Sequence, residues 1–365
     1  MMPSEIKNSN SKLIAILAGY HLLFTFFTYN FYIKNGGDAA FYWLQLKTSA
    51  AKEWFDFFTY GSDFMLFLNY PFVRIFHWNI VFGFLLYSSI GFFGILQFYR
   101  LLRFHIGDRL RFFGWDFLPL ILFLPNLHFW TAMLGKEALC FLFIATILLA
   151  VSKAKYFSIS TIISALFLSV IRPHIALMLL FSFFLCFLLF GKWRWKTKLI
   201  ASAIAIAVFS GLFYMFLQLS KIKRFDFNRL QRFNEFSLLS FKNSDTYVPI
   251  IEYSYPYKLF TFYFRPLLNE IPSFYGLALG LENGLILTLH LVALVLFLRH
   301  YREVVFPLVF KGILLFAVIS GLLIVQRYSG FGIFARTKIM IQPFFMVVLL
   351  WIIAQITHKT TVQSK

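Results

Sequence analysis

Apolar runs of membrane length recur from Leu13 almost to the C-terminus, separated by short clusters of charge. That pattern predicts helices that cross a bilayer. The expected spans are 13–33, 78–99, 117–134, 138–152, 156–171, 175–190, 199–219, 277–298, 304–325 and 339–356. Two of the hairpins rest on length. The run 117–152 as one helix would be roughly 54 Å long, far beyond a hydrocarbon core of roughly 30 Å, and the run 156–190 is nearly as long. Each must fold back, and the polar interruptions nearest their middles are Lys136-Glu137 and Arg172-Pro173-His174. The first run is too long for a signal-peptide core and no small-residue cleavage site follows it, so it is expected to stay as an anchor. The expected fold is all-α: a polytopic integral membrane protein of about ten transmembrane helices, with 1–365 forming one multispanning domain.

Charge orients the helices. Ten spans place Arg100/Arg103/Arg109/Arg111, Lys153/Lys155, Lys192/Arg194/Lys196/Lys198 and Arg299/Arg302 on one side. The positive-inside rule makes that side cytoplasmic, and both termini join it. The segment 34–77 becomes the first extracytoplasmic loop, and 220–276 a long extracytoplasmic loop with interfacial segments. Roughly half of the 34 Lys/Arg and most of the 15 Asp/Glu then fall outside, more charge than the rule alone would put there. Lys311 is the basic residue left within a span, and it can snorkel to the cytoplasmic interface.

Composition agrees with this frame: 60% of the residues are hydrophobic and 21% aromatic, which excludes a soluble domain. Cys140 and Cys186 both lie inside apolar runs, so neither a disulfide framework nor a cysteine metal site is expected. The 52 phenylalanines are accounted for by lipid-facing surface and helix packing.

Candidate chemistry sits at the outer ends of the spans. Asp38, in GGDAAFYW directly after helix 1, is where a base could activate a hydroxyl at the membrane surface. It also suits the start of an interfacial helix anchored by Tyr42 and Trp43, and the two roles are compatible. Arg172 and His174 flank Pro173 at a helix start, where exposed amides and a guanidinium suit an anion. Lys136-Glu137 opens another helix, with Glu137 favourable at its N-terminus and Lys136 either solvated or in contact with a ligand. Lys221, Lys223, Arg224, Arg229 and Arg232 read as an amphipathic surface segment. Arg265 and Glu270 lie where the chain re-enters the membrane, and Glu282-Asn283 head the next span. The last outer loop supplies Arg327, Arg336 and Lys338; its GFG is too weak a signal for a phosphate loop.

Taken together, GGDAAFYW, LPNLHFWTAMLGKEAL, RPHIA, FRPLLNE, LEN and ARTK resemble, in order, the Wzy/EpsG-like membrane proteins of bacterial polysaccharide assembly. Members tend to carry an Arg-Gln-type pair where this chain has Lys136-Glu137. The resemblance implies a glycosyltransferase or polymerase at the outer face of a bacterial cytoplasmic membrane. Its donor would be a polyprenyl-(pyro)phosphate-linked saccharide. Arg172, Arg265, Arg327, Arg336, Lys338 and Lys136 are the expected phosphate ligands, with Asp38 the leading base and Glu270, Glu282 and His174 in reserve. No cofactor is required. Asp38, Asp56 and Asp63 are nonetheless oxygen ligands that suit a divalent ion. Expected partners are the lipid-linked saccharide, membrane lipid and other polysaccharide-assembly proteins, with no nucleic acid. A monosaccharide transferase of the broader GT-C kind uses the same features. So does a transporter or flippase of anionic lipid-linked glycans, although a transporter should line a whole transmembrane path with polar groups.

Overall fold

The computed structural model describes residues 4–48, 53–112, 115–192, 194–219 and 226–363; Lys221, Lys223 and Arg224 of the basic segment fall outside them. Regular structure among these residues is helical, apart from a two-stranded turn that pairs Arg111–Phe112 with Trp115–Asp116. The chain runs through α1 (Ser4–Asn35), α2 (Asp38–Thr48), α3 (Ser62–Tyr70), α4 (Ile80–Ile106), α5 (Pro125–Ala132), α6 (Lys136–Ser152), α7 (Ile159–Ile171) and α8 (Pro173–Phe190). It continues through α9 (Trp195–Leu219), α10 (Phe227–Leu239), α11 (Tyr255–Phe264), α12 (Phe274–Arg299), α13 (Leu308–Ile324), α14 (Phe331–Lys338) and α15 (Gln342–Gln363).

Five of these helices carry stretches long and apolar enough to cross a membrane: Ser11–Asn35 of α1, α4, α8, Trp195–Gln218 of α9, and α12. Counting the bent pairs α5/α6 and α14/α15 raises the number to seven, and α7 and α13 are shorter apolar helices. The chain is therefore an all-α, multi-pass membrane protein.

Two expected spans take another form. In place of one helix over 117–134 there is a 3-10 turn, Leu118–Phe123, and then the eight-residue α5, which meets α6 at 113°. The prolines explain the break. Pro119 and Pro125 each occupy a first turn, where the missing N–H is harmless, and Leu124 before Pro125 is driven extended at φ −63°, ψ 121°. The second departure is at the C-terminal end. The last span starts at Gln342 rather than 339, because ARTK belongs to α14, which turns by 60° into α15.

Packing is centred on α4, which lies along α6 and also touches α1, α5 and α15. Phe98, Phe141 and Phe344 are fully buried and join α4, α6 and α15, with ring centroids 5.3 to 5.9 Å apart. Gly91 lets α4 and α5 meet: a Cβ there would stand 2.0 Å from the carbonyl oxygen of Thr131. α8 packs against α13, while α9 lies at the periphery against α8 and keeps most of its apolar surface outward. Where α4 and α6 finish, Arg103 pairs with Asp116 and Asp108, His105 Nε2 meets Ser152 Oγ at 2.8 Å, and Arg109 covers Trp351.

Candidate functional site

At the other end of the bundle, the ends of α7 and α9, the turn after α13 and helix α14 meet the starts of α2, α3, α6 and α8. They enclose a cavity of about 270 Å³. Local sequence explains how each element delivers its side chain. Gly36 and Gly37 adopt φ +66° and +96°, a turn that L side chains resist, and this sends the chain from α1 into α2 with Asp38 in the first turn. Pro173 starts α8 and leaves Arg172 at its N-cap position. Gly135, fully extended, leads into α6 with Lys136 and Glu137 in the opening turn.

Glu137 organises the polar wall. It is 1% exposed, and its Oε1 accepts from Arg172 Nη2 and, at 2.5 Å, from Arg336 Nε. Arg336 then places Nη1 2.6 Å from Asp38 Oδ2, and its guanidinium lies over the Trp130 ring. Lys136 donates to Ser62 Oγ at 3.0 Å and faces the Tyr42 ring. Arg327 is held between Phe216 of α9 and Phe233 of α10. Burial, and after it the Asp38 and Glu137 carboxylates, push the Tyr42 phenol above its ordinary range, so it stays a neutral donor.

Asp38, His174, Lys136, Arg172, Arg327 and Arg336 are thus gathered around one cavity. Three of their buried nitrogens, Arg172 Nε, His174 Nε2 and Arg327 Nη1, have no hydrogen-bond partner among the described residues. A buried donor left without an acceptor is costly, so the two guanidinium nitrogens mark a place shaped for an acceptor-rich guest, while His174 Nε2 donates or accepts according to its tautomer.

The other four candidates serve elsewhere. Arg265 and Glu270 pair with each other, and Glu270 Oε2 also accepts from Leu267 N at 2.5 Å, closing the turn before α12. Lys338 is 1% exposed and donates to Asn283 Oδ1 at 2.7 Å and to the Arg265 carbonyl at 3.2 Å. Glu282 does not head its helix: it lies in the third turn of α12, buried, and accepts from Asn126 N at 2.7 Å. These four tie α5, α12 and α14 together and do not line the cavity.

The aspartate trio does not assemble either. Asp56 is occupied in a capping box with Glu53 and Asp38 pairs with Arg336. Among the described residues, no group of three His, Cys, Asp or Glu side chains is arranged to hold a metal. Cys140 and Cys186 are buried and unpaired.

Sequence reasoning missed three features. Glu137 reads as a helix-start charge, and only its contacts reveal the bridge to Arg172 and Arg336. Ser62 has no local signal at all. The buried pair His21–His128, with its Nδ1 atoms 2.9 Å apart, joins α1 to α5, with His21 inside the apolar stretch of α1. Beside the polar cavity is a second, apolar one of about 220 Å³ between α8, α9, α10 and α13, and His174, Phe216, Arg327 and Tyr328 line both. Comparison of the chain with protein-family models, curated proteins and solved structures gives no match.

Proposed function

We propose that this protein is a glycosyltransferase or polysaccharide polymerase that takes its sugar from a polyprenyl-(pyro)phosphate carrier at the outer face of a bacterial cytoplasmic membrane. The observation that carries this reading is the pair of adjoining cavities: a cationic one of about 270 Å³ and an apolar one of about 220 Å³ that share four wall residues. An amphipathic ligand with an anionic head and a hydrocarbon tail matches both at once. A free sugar nucleotide has no use for the second.

Charge supports the same ligand. Lys136, Arg172, Arg327 and Arg336 face Asp38 and Glu137, four cations against two carboxylates, which leaves an excess of positive charge for a phosphate dianion. In the proposed reaction an acceptor hydroxyl oxygen attacks the anomeric carbon. Asp38 takes the hydroxyl proton, and the anomeric C–O bond breaks with its electron pair passing to the (pyro)phosphate. Arg172, Arg327 and Arg336 stabilise that leaving charge, so no general acid is needed.

The proposal includes the ten-span topology with cytoplasmic termini. In it, every segment that lines the polar cavity lies on the outer side, and the Arg103–Asp116 cluster lies on the cytoplasmic side. Purified protein in lipid nanodiscs, supplied with a polyprenyl-pyrophosphate-linked saccharide, is expected to yield longer glycan and free polyprenyl pyrophosphate. If instead the saccharide is only moved across a vesicle membrane without bond formation, the protein is a flippase of lipid-linked glycans.

A further inference from the structure

Two guanidiniums share a single buried carboxylate beside a cavity that offers unused donors. Arg172 and Arg336 both bond to Oε1 of Glu137, while Oε2 of Glu137 has no hydrogen-bond partner among the described residues. Like charges held this close repel in a low-dielectric setting, so the pair persists in an empty cavity only with a resident counter-charge between them. Glu137 is that charge. Its 1% exposure and its bonds to two cations make it unsuited to take a proton from substrate. Its position determines both where the two guanidiniums point and how positive the cavity is.

We infer that Glu137 is a positioning residue that fixes Arg172 and Arg336 as a paired pyrophosphate clamp and, by its charge, limits how tightly the clamp holds the pyrophosphate product. This rests on the donor class proposed above. With Glu137 ionised, the four cations and two carboxylates leave an excess of two positive charges. A pyrophosphate-bearing ligand then binds firmly and still leaves. With an uncharged side chain of the same shape, the excess becomes three while an amide oxygen can still accept from the guanidiniums. The clamp keeps its geometry and gains attraction.

Two substitutions separate charge from geometry. Glu137→Gln removes charge and preserves shape. Gly135→Ala leaves the charge but displaces it. The Gly135 backbone is extended at φ −177°, which alanine adopts freely, yet a Cβ there would stand 2.7 Å from Glu137 Oε2 and force the carboxylate aside.

The test measures binding of inorganic pyrophosphate and of polyprenyl pyrophosphate to detergent-purified full-length protein, with steady-state glycan extension in parallel. For Glu137→Gln the expected result is tighter binding, by about tenfold, with KM and kcat both reduced because product leaves slowly. For Gly135→Ala the expected result is weaker binding and a raised KM. Weaker binding by the Gln variant at normal protein level, equal to that of Glu137→Ala, would reduce Glu137 to a fold-stabilising ion pair and overturn the inference. Unchanged binding by the Gln variant overturns it as well. Failure of wild-type protein to bind either probe overturns the donor class itself, an outcome distinct from a wild type that binds and a Gln variant that does not differ.

Discussion

Asp38 and Arg336, near opposite ends of the chain, are joined by an ion pair of 2.6 Å. The contact ends a chain of alternating charge, Asp38–Arg336–Glu137–Arg172. Asp38 begins α2, Arg336 lies in the last turn of α14, and through Glu137 the second of these also reaches Arg172 at the head of α8. Helices far apart in sequence therefore converge on one cavity, and a change at any member is felt by the others.

Arg172→Lys is expected to lose nearly as much glycan-extending activity as Arg172→Ala, at least ~10-fold, or ~1.4 kcal/mol of transition-state stabilisation. Arg172 uses Nη2 on Glu137 and keeps a buried Nε beside the cavity. A lysine has one ammonium group and cannot serve both directions at once. Activity assays at matched expression decide it, and a fully active Lys variant would mean that only a positive charge is needed there.

Arg265 and Glu270 are expected to matter for stability rather than chemistry. Their pairing closes the turn before α12, and a carboxylate hydrogen bond of this kind is worth about 2 kcal/mol. Arg265→Ala and Glu270→Ala should each lower the thermal midpoint in detergent, and the double variant should cost little more than either single one. Additive losses, or loss of pyrophosphate binding with an unchanged midpoint, would return these residues to the candidate site.

What was legible in the sequence, and what was not, follows from the range of the forces involved. Helix starts at Asp38, Lys136 and Pro173 are local events of capping charge and proline geometry, so they could be read directly. The broken span at Pro119 and Pro125 was visible as two prolines, but hydropathy averaged over a window outweighed them. The site divided for a different reason. Arg265, Glu270 and Lys338 have the same residue types and the same placement near helix ends as the residues that line the cavity, and Glu282 is read from sequence as a helix head although it lies in the third turn of α12. Only tertiary contact shows that their donors and acceptors are already used by Leu267, Asn283, Asn126 and main-chain carbonyls. Glu137 is the converse case, a residue with an ordinary local role whose two long-range partners give it importance.

Gly91→Ala is expected to destabilise the protein by about 1–3 kcal/mol, the usual cost of overpacking. A Cβ there would lie 2.0 Å from the backbone oxygen of Thr131, which cannot rotate away as a side chain could. α5 would be displaced, and with it Trp130 beneath Arg336. A thermal-shift measurement tests this; a midpoint equal to that of wild type would show that α4 and α5 separate without cost.

Cysteines placed at Ser244 and Thr197 test the proposed orientation. In intact cells an impermeant thiol reagent should label the Ser244→Cys protein and leave Thr197→Cys protein unlabelled. The native Cys140 and Cys186 are buried and should contribute little background. The reverse labelling pattern would invert the topology and put the polar cavity on the cytoplasmic side.

Asp38→Asn is expected to abolish glycan extension while leaving the protein folded and able to bind pyrophosphate. Asn keeps the size of Asp and still suits a helix start, so a purely structural Asp38 predicts a small effect. A proton acceptor, by contrast, loses its function entirely. The Arg336 contact complicates this comparison in a way that a second variant resolves. Because Arg336 is bonded to Asp38 and Glu137 together, losing the Asp38 charge could act by releasing Arg336. Asp38→Glu separates the two routes. It restores a carboxylate but moves it outward by one methylene, so a counter-charge for Arg336 is kept while a base held at a fixed distance from the acceptor oxygen is displaced. If Asp38 is the base, the Asn variant binds pyrophosphate at least as tightly as wild type, since a carboxylate charge is lost from the cavity, and is inactive, and the Glu variant binds normally with a kcat reduced by about 10²-fold or more, the usual contribution of general-base catalysis. If Asp38 only anchors Arg336, the Asn variant binds pyrophosphate more weakly because Arg336 is displaced, and the Glu variant recovers full activity. In that case the proton must pass to another group at the cavity, and His174, whose Nε2 is buried there without a partner among the described residues, is the next residue to substitute.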